Sequence, residues 1–301
     1  MMRSAMLAVT NRTATRKLIT DTRVGKAVAH RFVAGNLLSE AVAAAAALNS
    51  DGLEVSMDYL GEHVSTAPEA MTATESYIEC IEQIGENKLD ANVSVKLTQL
   101  GMGFDDGLAA ANLDRIAVAA LGVGSTVTVD MEESEHTETT ISLYESAQKA
   151  HGNLGIAIQS YLHRSPDDIE RILPLGGHIR LCKGAYAEPA SIAHQSSAAV
   201  DGAFDHLASV LMADDDVKPA IATHDDARIE GVLRQADKRS GPWEFQMLYG
   251  VRRDRQVELA GLGHAMRVYV PYGEAWYPYL TRRMAERPAN VGFFLRAMVG
   301  K

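Results

Sequence analysis

The sequence has few cysteines, few aromatic residues and no long apolar run, although 47% of its 301 residues are hydrophobic. Its two cysteines, Cys80 and Cys182, lie far apart within apolar segments, so neither a disulfide framework nor a cysteine metal site is expected. No apolar run reaches the roughly 18–20 residues that cross a bilayer, and the N-terminus has no convincing signal peptide. These absences predict a cytoplasmic protein with a reduced interior and an ample core.

Positive charge is also scarce, since the formal net charge is −10. A nucleic-acid-binding protein needs a basic surface to neutralise phosphates, so nucleic acid is not an expected partner. The exception is the N-terminal arm, residues 1–31, where Asp21 is the only acidic residue. We interpret this arm as a basic helix packed on the domain, with contact to an anionic membrane surface or to an acidic partner as the alternative. Its basic residues are Arg3, Arg12, Arg16, Lys17, Arg23, Lys26 and Arg31.

Several fingerprints of cofactor binding and catalysis are missing. Gly122 and Gly124 lack a third glycine and precede a strand, so they do not form a dinucleotide-binding motif. There is no P-loop, no His-Glu-x-x-His zinc motif and no Gly-x-Ser-x-Gly nucleophile motif. His224 follows a predicted strand, but the only other histidine at an obvious strand end is His63, so no metal site is predicted.

Short apolar runs alternate with helical patterns along most of the chain, which is typical of parallel strands joined by crossover helices. Eight such runs without a Pro- or Ser-rich linker predict an α/β fold, a distorted (β/α)8 barrel with an N-terminal helical extension. We expect residues 1–50 to form the helical arm, packed on the barrel, and residues 51–301 to form the catalytic barrel. The predicted strands are 53–60, 92–97, 126–129, 155–158, 178–182, 219–222, 244–248 and 266–270.

Polar residues follow or interrupt nearly every predicted strand, at the end of the barrel where functional side chains collect. Lys96, Arg180 and Gln246 are unusual because they lie inside apolar runs, where a buried charge without a partner is costly. Cations outnumber acids at these strand ends, so an anionic ligand is expected. The polar residues at the strand ends are Glu62, Lys96, Asp130, Gln159, Arg180, Lys183, Thr223, His224, Gln246 and Tyr269.

The last predicted helix carries an unusual polar face. Tyr279, Arg282, Arg283 and Glu286 lie at i, i+3, i+4 and i+7, so they share one side of the helix. Adjacent guanidiniums repel one another unless an anion lies between them, and their planar geometry suits a carboxylate. The pattern therefore indicates either a carboxylate-binding face or a solvated face with an internal ion pair.

Lysines at the strand ends leave a rival chemistry open. Lys96 or Lys183 could form a Schiff base with a carbonyl substrate, as in an aldolase-like barrel enzyme. A third interpretation is a non-catalytic scaffold whose polar strand ends are simply solvated.

The strand ends and the last helix carry a series of short strings in a fixed order. They are Tyr-Leu-Gly-Glu62, Val-Ser-Val-Lys96-Leu, Val-Asp130-Met-Glu-Glu, Ile-Gln159-Ser-Tyr, Ile-Arg180-Leu-Cys-Lys183-Gly-Ala-Tyr186, Ala-Thr223-His224-Asp, Glu-Phe-Gln246-Met-Leu-Tyr-Gly, Arg-Val-Tyr269-Val-Pro-Tyr-Gly and Tyr279-Leu-Thr-Arg282-Arg283. Together they resemble the proline dehydrogenase family over about residues 32–295. Several ordered motifs are far more specific than any single one, and the chain is similar to the single-activity bacterial form.

The resemblance implies a flavoenzyme that binds FAD non-covalently and oxidises L-proline to Δ1-pyrroline-5-carboxylate, the first step of proline catabolism. It also implies that the electrons pass to a membrane quinone, with peripheral contact at the inner face of the cell membrane.

The resemblance also assigns roles to individual residues. It implies that Arg282, Arg283 and Lys96 hold the substrate carboxylate, and that Tyr269, Tyr279 and Leu248 form a wall beside the substrate ring. It further implies that Asp130 pairs with this cationic cluster and that Glu62 pairs with Arg282 over bound substrate. The residues implied to hold FAD are Gln159, Arg180, Lys183, Gly184, Ala185, Tyr186, Thr223, His224, Gln246, Arg283 and Glu286.

Overall fold

The computed structural model describes residues 30–286, with side chains described as far as Thr281. Eight parallel strands close into a barrel in the order of the sequence, which confirms the predicted fold. The strands are β1 (Glu54–Tyr59), β2 (Ala91–Val95), β3 (Val127–Val129), β4 (Leu154–Gln159), β5 (His178–Cys182), β6 (Lys218–Ala222), β7 (Glu244–Leu248) and β8 (Met266–Tyr272).

Helices alternate with the strands, as crossover connections between parallel strands require. No helix among residues 30–286 is long and apolar enough to cross a membrane. The helices are α1 (Leu38–Ser50), α2 (Ala67–Glu86), α3 (Asp106–Gly122), α4 (Thr137–His151), α5 (Ser165–Ile172), α6 (Ser197–Ala213), α7 (Asp226–Ala236), α8 (Arg253–Gly261) and α9 (Trp276–Glu286).

Helix α1 lies within the predicted N-terminal arm and packs against β1 and β8. Its small and aliphatic residues Ala41, Ala45 and Leu48 are buried in the main core. The basic part of the arm lies outside the described residues, apart from Arg31. The arm of residues 1–50 and its boundary with the barrel therefore stay a prediction.

The strands have one apolar face and one polar face. On β1, Val55 and Met57 belong to the main hydrophobic core, which lies between the strands and the helices. The alternate residues, Ser56 and Asp58, are fully buried polar side chains that point into the barrel. Branched aliphatic residues fill most barrels of this type, so a hydrogen-bonded polar interior sets this one apart.

A second hydrophobic cluster joins the start of the described chain to α9. Its members come from residues 32–33, from the end of β1 and from α9, and Tyr269 on β8 packs against it. The N–H of Ala34 donates to the Pro271 carbonyl at 2.9 Å, and the N–H of Gly273 donates to the Gly35 carbonyl at 2.9 Å. These bonds hold the N-terminal segment beside the carboxyl end of β8. The buried members are Phe32, Val33, Leu60, Trp276, Tyr277, Tyr279 and Leu280.

Candidate active site

Arg180 on β5 lies at the centre of the candidate site and is only 5% exposed. Its Nε donates to Oε1 of Gln246 at 2.6 Å, and its Nη2 donates to Oγ of Ser56 at 3.2 Å. Its Nη1 donates to Oγ of Ser94 at 2.8 Å and to Oδ1 of Asp130. These partners come from β7, β1, β2 and the end of β3, so the guanidinium crosses the barrel interior and is fixed from four sides.

Asp130 follows β3 and connects Arg180 to the wall of the site. Its Oδ2 accepts a hydrogen bond from the Tyr269 hydroxyl at 2.8 Å, and Nζ of Lys96 lies 3.8 Å from the same oxygen. Burial, together with the Asp130 charge, raises the pKa of Tyr269 well above its ordinary value, so the hydroxyl stays a donor. The Arg180 guanidinium carbon lies 5.2 Å from the centre of the Tyr269 ring, within cation–π range.

Lys96 follows β2 and forms a buried ion pair with Asp58. The distance from Nζ to Oδ1 is 2.8 Å, and the Asp58 side chain is fully buried. Burial raises the pKa of Asp58, and the Lys96 ammonium opposes that shift only in part. A buried pair of this kind is costly to break, because the remaining charge has no comparable partner.

Gln159 joins the ends of β3 and β5 and is only 2% exposed. Its Nε2 donates to the Glu132 carbonyl at 2.8 Å, while its Oε1 accepts a hydrogen bond from the Ala185 N–H at 3.0 Å. Both ends of the amide are thus bound to the backbone, which fixes its orientation.

The turn after β5 requires glycine at position 184. Gly184 has φ +128°, and a Cβ there would lie 2.3 Å from the Tyr161 ring. The Tyr161 hydroxyl in turn donates to the Tyr186 carbonyl at 3.2 Å. Residues 184–186 therefore form a tight, braced turn beside Gln159.

Lys183 and Thr223, at the ends of β5 and β6, are linked through Asp225. Nζ of Lys183 lies 2.5 Å from a carboxylate oxygen of Asp201 and 2.9 Å from one of Asp225. The hydroxyl oxygen of Thr223 accepts a hydrogen bond from the Asp225 N–H at 3.1 Å. The lysine is half-buried, so this cation is held at the rim of the barrel.

His224 and Leu248 are coupled through the backbone. Nε2 of His224 accepts a hydrogen bond from the Leu248 N–H at 3.0 Å, so the other ring nitrogen carries the proton in the neutral tautomer. The Leu248 side chain is partly exposed at the end of β7. His224 thus supports the end of β7, and this contact leaves that nitrogen unavailable as a base.

The predicted last helix is present as α9 (Trp276–Glu286) and contains all four residues of the predicted polar face. Tyr279 is 5% exposed and packs in the second hydrophobic cluster, to which Tyr269 is adjacent. Arg282, Arg283 and Glu286 lie in the last part of α9, but their side chains are outside the described residues. The carboxylate clamp therefore stays a prediction.

The loop that carries Glu62, between β1 and α2, is tethered to Thr98. The Thr98 hydroxyl accepts a hydrogen bond from the His63 N–H at 3.0 Å and donates to Oε1 of Glu132 at 2.5 Å. The Thr98 N–H donates to the other Glu132 oxygen at 3.1 Å, and the Thr98 carbonyl accepts from the Val64 N–H at 3.3 Å. His63 has a left-handed backbone, with φ 54°. A buried carboxylate thus fixes the turn that presents Glu62.

One group of side chains in the described part of the chain has the spacing of metal ligands. Glu62, His63 and Glu132 each offer one ligand atom, and these atoms lie within 4.8 Å of one another. Both oxygens of Glu132 already accept hydrogen bonds from Thr98. The tether therefore accounts for the position of Glu132, and we propose no metal there.

The polar partners that face into the barrel, among them Ser56, Asp58, Ser94 and Glu244, were not predicted from the sequence. The available signal was the alternation of polar and apolar residues within single strands, which marks one polar face.

The closed barrel, with an arginine, a tyrosine and two lysines toward the carboxyl ends of its strands, defines a (β/α)8-barrel protein with its polar site at the end where such barrels carry their active sites. Comparison with known sequences narrows this class. The chain belongs to the proline dehydrogenase family, whose profile, described as Proline dehydrogenase, matches residues 41–296.

The sequences of known relatives align with nearly the whole chain. Proline dehydrogenase 1 of Bacillus subtilis subsp. natto is 40% identical over 283 residues, which cover 93% of this chain and 92% of the relative. Proline dehydrogenase of Deinococcus radiodurans is 35% identical, and the match covers 90% of each chain. The crystal structure of proline utilization A from Bdellovibrio bacteriovorus, inactivated by N-propargylglycine, superposes with a TM-score of 0.81 at 23% identity. That match covers 87% of this chain and 33% of the other, and it supports the fold.

Proposed function

We propose that this protein is an FAD-dependent proline dehydrogenase that oxidises L-proline to Δ1-pyrroline-5-carboxylate, the first step of proline catabolism. The observation that carries the proposal is the convergence of Arg180, Asp130, Lys96 and Tyr269 at the carboxyl end of the barrel. Membership of the family and the near full-length match to proline dehydrogenases support it.

The substrate in this proposal is a small amino acid with one carboxylate and one apolar ring. Lys96, together with Arg282 and Arg283 from α9, would hold the carboxylate, because cationic donors bind it with charge-assisted hydrogen bonds. Tyr269, Tyr279 and Leu248 would wall the ring. The family resemblance suggests that Glu62 pairs with Arg282 to close the site.

The residues at the ends of β4 to β7 fit the cofactor. The isoalloxazine has a polar edge of carbonyls and nitrogens, and the pyrophosphate is anionic, so amides and cations are the donors required. The chain offers such donors at its strand ends, several of them already oriented by neighbours. The residues proposed to hold FAD are Gln159, Arg180, Lys183, Gly184, Ala185, Tyr186, Thr223, His224 and Gln246, together with Arg283 and Glu286 of α9.

The chemistry needs orientation and exclusion of water more than a nucleophile. When bound, FAD supplies N5 as the acceptor for the hydride that leaves C5 of proline. Arg180 would place a fixed positive charge beside this region, where negative charge develops, and its four partners prevent it from turning away.

The Schiff-base alternative is less well supported. A Schiff base requires the neutral amine. Nζ of Lys96 lies 2.8 Å from the Asp58 carboxylate, and Nζ of Lys183 contacts two carboxylates. Each of these nitrogens is therefore engaged in an ion pair, unlike the desolvated, uncharged setting of a Schiff-base lysine.

We further infer that the electrons pass from the reduced protein to a membrane quinone, with peripheral contact between the protein and the inner face of the cell membrane. The resemblance to proline dehydrogenases supports this acceptor. The basic residues of the N-terminal arm would suit an anionic membrane surface.

The visible spectrum before and after anaerobic addition of L-proline tests the proposal. We expect a flavin spectrum that bleaches with L-proline and returns with an added quinone, whereas buffer alone leaves it unchanged. A colourless protein that gains no flavin absorbance with FAD contradicts the proposal, and so does a flavin that L-proline does not bleach. Borohydride trapping of a carbonyl compound on Lys96 or Lys183 would support the Schiff-base enzyme instead.

A further inference from the structure

One side-chain amide connects the candidate site to the opposite end of the barrel. Gln246 is 3% exposed and lies between two charged groups. Its Oε1 accepts a hydrogen bond from Nε of Arg180 at 2.6 Å, and its Nε2 donates to Oε1 of Glu244 at 2.6 Å. The amide is therefore bound at both ends within the barrel.

Glu244 determines which way the Gln246 amide points. A carboxylate can only accept hydrogen bonds, so the amide nitrogen must face Glu244 and the amide oxygen must face Arg180. Nε of Arg180 can only donate, so a flipped amide would set two donors against each other. The orientation that serves Arg180 is thus fixed by an acceptor two residues earlier on the same strand.

Glu244 belongs to an ion cluster near the amino ends of the strands, which we call the floor cluster (Glu54, Lys218, Glu244 and Arg267). Nε of Arg267 donates to Oε1 of Glu244 at 2.7 Å, and Nζ of Lys218 lies 2.6 Å from Oε2. Arg267 also contacts Glu54. Burial raises the pKa of Glu244, but the two cations together bring it below its ordinary value, so the carboxylate stays ionised.

We propose that Glu244 is a positioning residue for the reaction: it orients Gln246, which holds Arg180 in place against Asp130 and Tyr269. The proposal rests on the proposed function, because Arg180 is the cofactor-facing cation in it. Glu244 lies at the far end of the barrel interior from the proposed substrate and cofactor site, and it acts through Gln246.

The test separates this acceptor role from a merely stabilising charge. Glu244→Met removes both the charge and the acceptor, whereas Glu244→Gln removes the charge but keeps an oxygen that can accept from Gln246. Lys218→Met is the matched control, because Lys218 contacts Oε2 while Gln246 contacts Oε1. FAD affinity, the midpoint potential of bound FAD and the melting temperature are measured for each variant.

We expect Glu244→Met to weaken FAD affinity at least about ten-fold, because a change of this size corresponds to the loss of one charge-assisted hydrogen bond. Its midpoint potential should become more negative, because a displaced Arg180 no longer favours the reduced flavin. Glu244→Gln and Lys218→Met should stay close to the wild type in both quantities, although their melting temperatures fall.

Wild-type affinity and potential in Glu244→Met would overturn the proposal. Equal losses in Glu244→Met and Glu244→Gln would overturn it as well, because charge alone would then explain the effect. If Glu244→Met does not fold, the charge-balanced double variant Glu244→Met with Lys218→Met takes its place, with the same expectation. A wild-type protein that binds no FAD would instead refute the proposed function, so the two failures are distinguishable.

Discussion

Lys96 and Asp58 form an ion pair inside the barrel, with 2.8 Å between Nζ and Oδ1. Asp58 lies on β1 and Lys96 just after β2, so the pair exists only because these strands are neighbours. Asp130 contributes a second, longer contact to the same ammonium at 3.8 Å. The Lys96 ammonium at the proposed substrate site is therefore paired with the buried Asp58 carboxylate and lies near the partly buried Asp130 carboxylate.

Lys96→Met should destabilise the fold by about 3–5 kcal/mol at neutral pH, because it leaves Asp58 buried and charged without its cation. The loss should shrink as the pH falls, since burial raises the pKa of Asp58 and its protonation removes the unpaired charge. Urea denaturation at several pH values measures this. The double variant Lys96→Met with Asp58→Asn should lose less than the sum of the single variants, and strict additivity would contradict a coupled pair.

Arg282→Met and Arg283→Met should each raise the KM for L-proline by about 10²-fold, because each removes a charge-assisted contact to the carboxylate. Steady-state kinetics measures the effect. Arg253→Met serves as the control, since Arg253 on α8 is exposed and pairs with Asp51 at the surface. Unchanged KM values in both α9 variants would remove the proposed clamp.

Thr98→Val should loosen the loop that carries Glu62. It removes the donor to a buried Glu132 oxygen and the acceptor for the His63 N–H. Leaving such buried polar groups without a partner costs about 1–3 kcal/mol of stability. Hydrogen exchange of a peptide that spans residues 61–66 should become faster in this variant. Thr98→Ser keeps the hydroxyl and should exchange like the wild type; equal exchange in both variants would mean that the tether does not restrain the loop.

The stability of the protein should depend on pH through His178, which is buried at the start of β5. Burial lowers the pKa of His178 to about 3 from an ordinary value near 6.5. Between these values the unfolded chain binds one more proton, so stability is full above the ordinary pKa and falls as the pH decreases. The expected slope from this group is about 1.4 kcal/mol per pH unit.

His178→Asn should flatten that slope. The charged groups that act on His178, namely Glu244, Arg180, Arg267 and Lys218, are present in both proteins, so the difference isolates the histidine. Urea denaturation between about pH 4 and pH 7 gives the slopes. Identical slopes in the two proteins would show that His178 does not take up a proton on unfolding.

The barrel could be predicted because each strand is a short apolar run followed by a helical pattern. Strand ends were less accurate. The prediction ended the eighth strand at residue 270, whereas β8 continues to Tyr272. Pro271 lies beyond the predicted strand, but its carbonyl accepts a hydrogen bond from the Ala34 N–H, and it pairs with Asp58 of β1. The second predicted strand, residues 92–97, extends too far at its C-terminal end, because β2 ends at Val95 and a 3-10 turn begins at Leu97.

Part of the candidate site could also be found from the sequence. Lys96, Arg180 and Gln246 interrupt apolar runs, and the structure buries all three. Their partners Asp58 and Glu244 were not found, because a single strand does not reveal which residues meet across a closed barrel. Contacts across the barrel join residues that are far apart in the sequence; Arg180 and Ser56, for example, are 124 residues apart.

The segment before α1 has a consequence for how the protein is handled. A Cβ on Gly250 would lie only 1.7 Å from the carbonyl oxygen of Arg31, so the strap of residues 31–35 lies directly on the turn after β7. Phe32 and Val33 belong to the second hydrophobic cluster, which also contains Tyr279. A shortened protein that begins after residue 35 would lack Phe32 and Val33, which pack with residues of α9. Purification tags are therefore better placed away from residues 31–35.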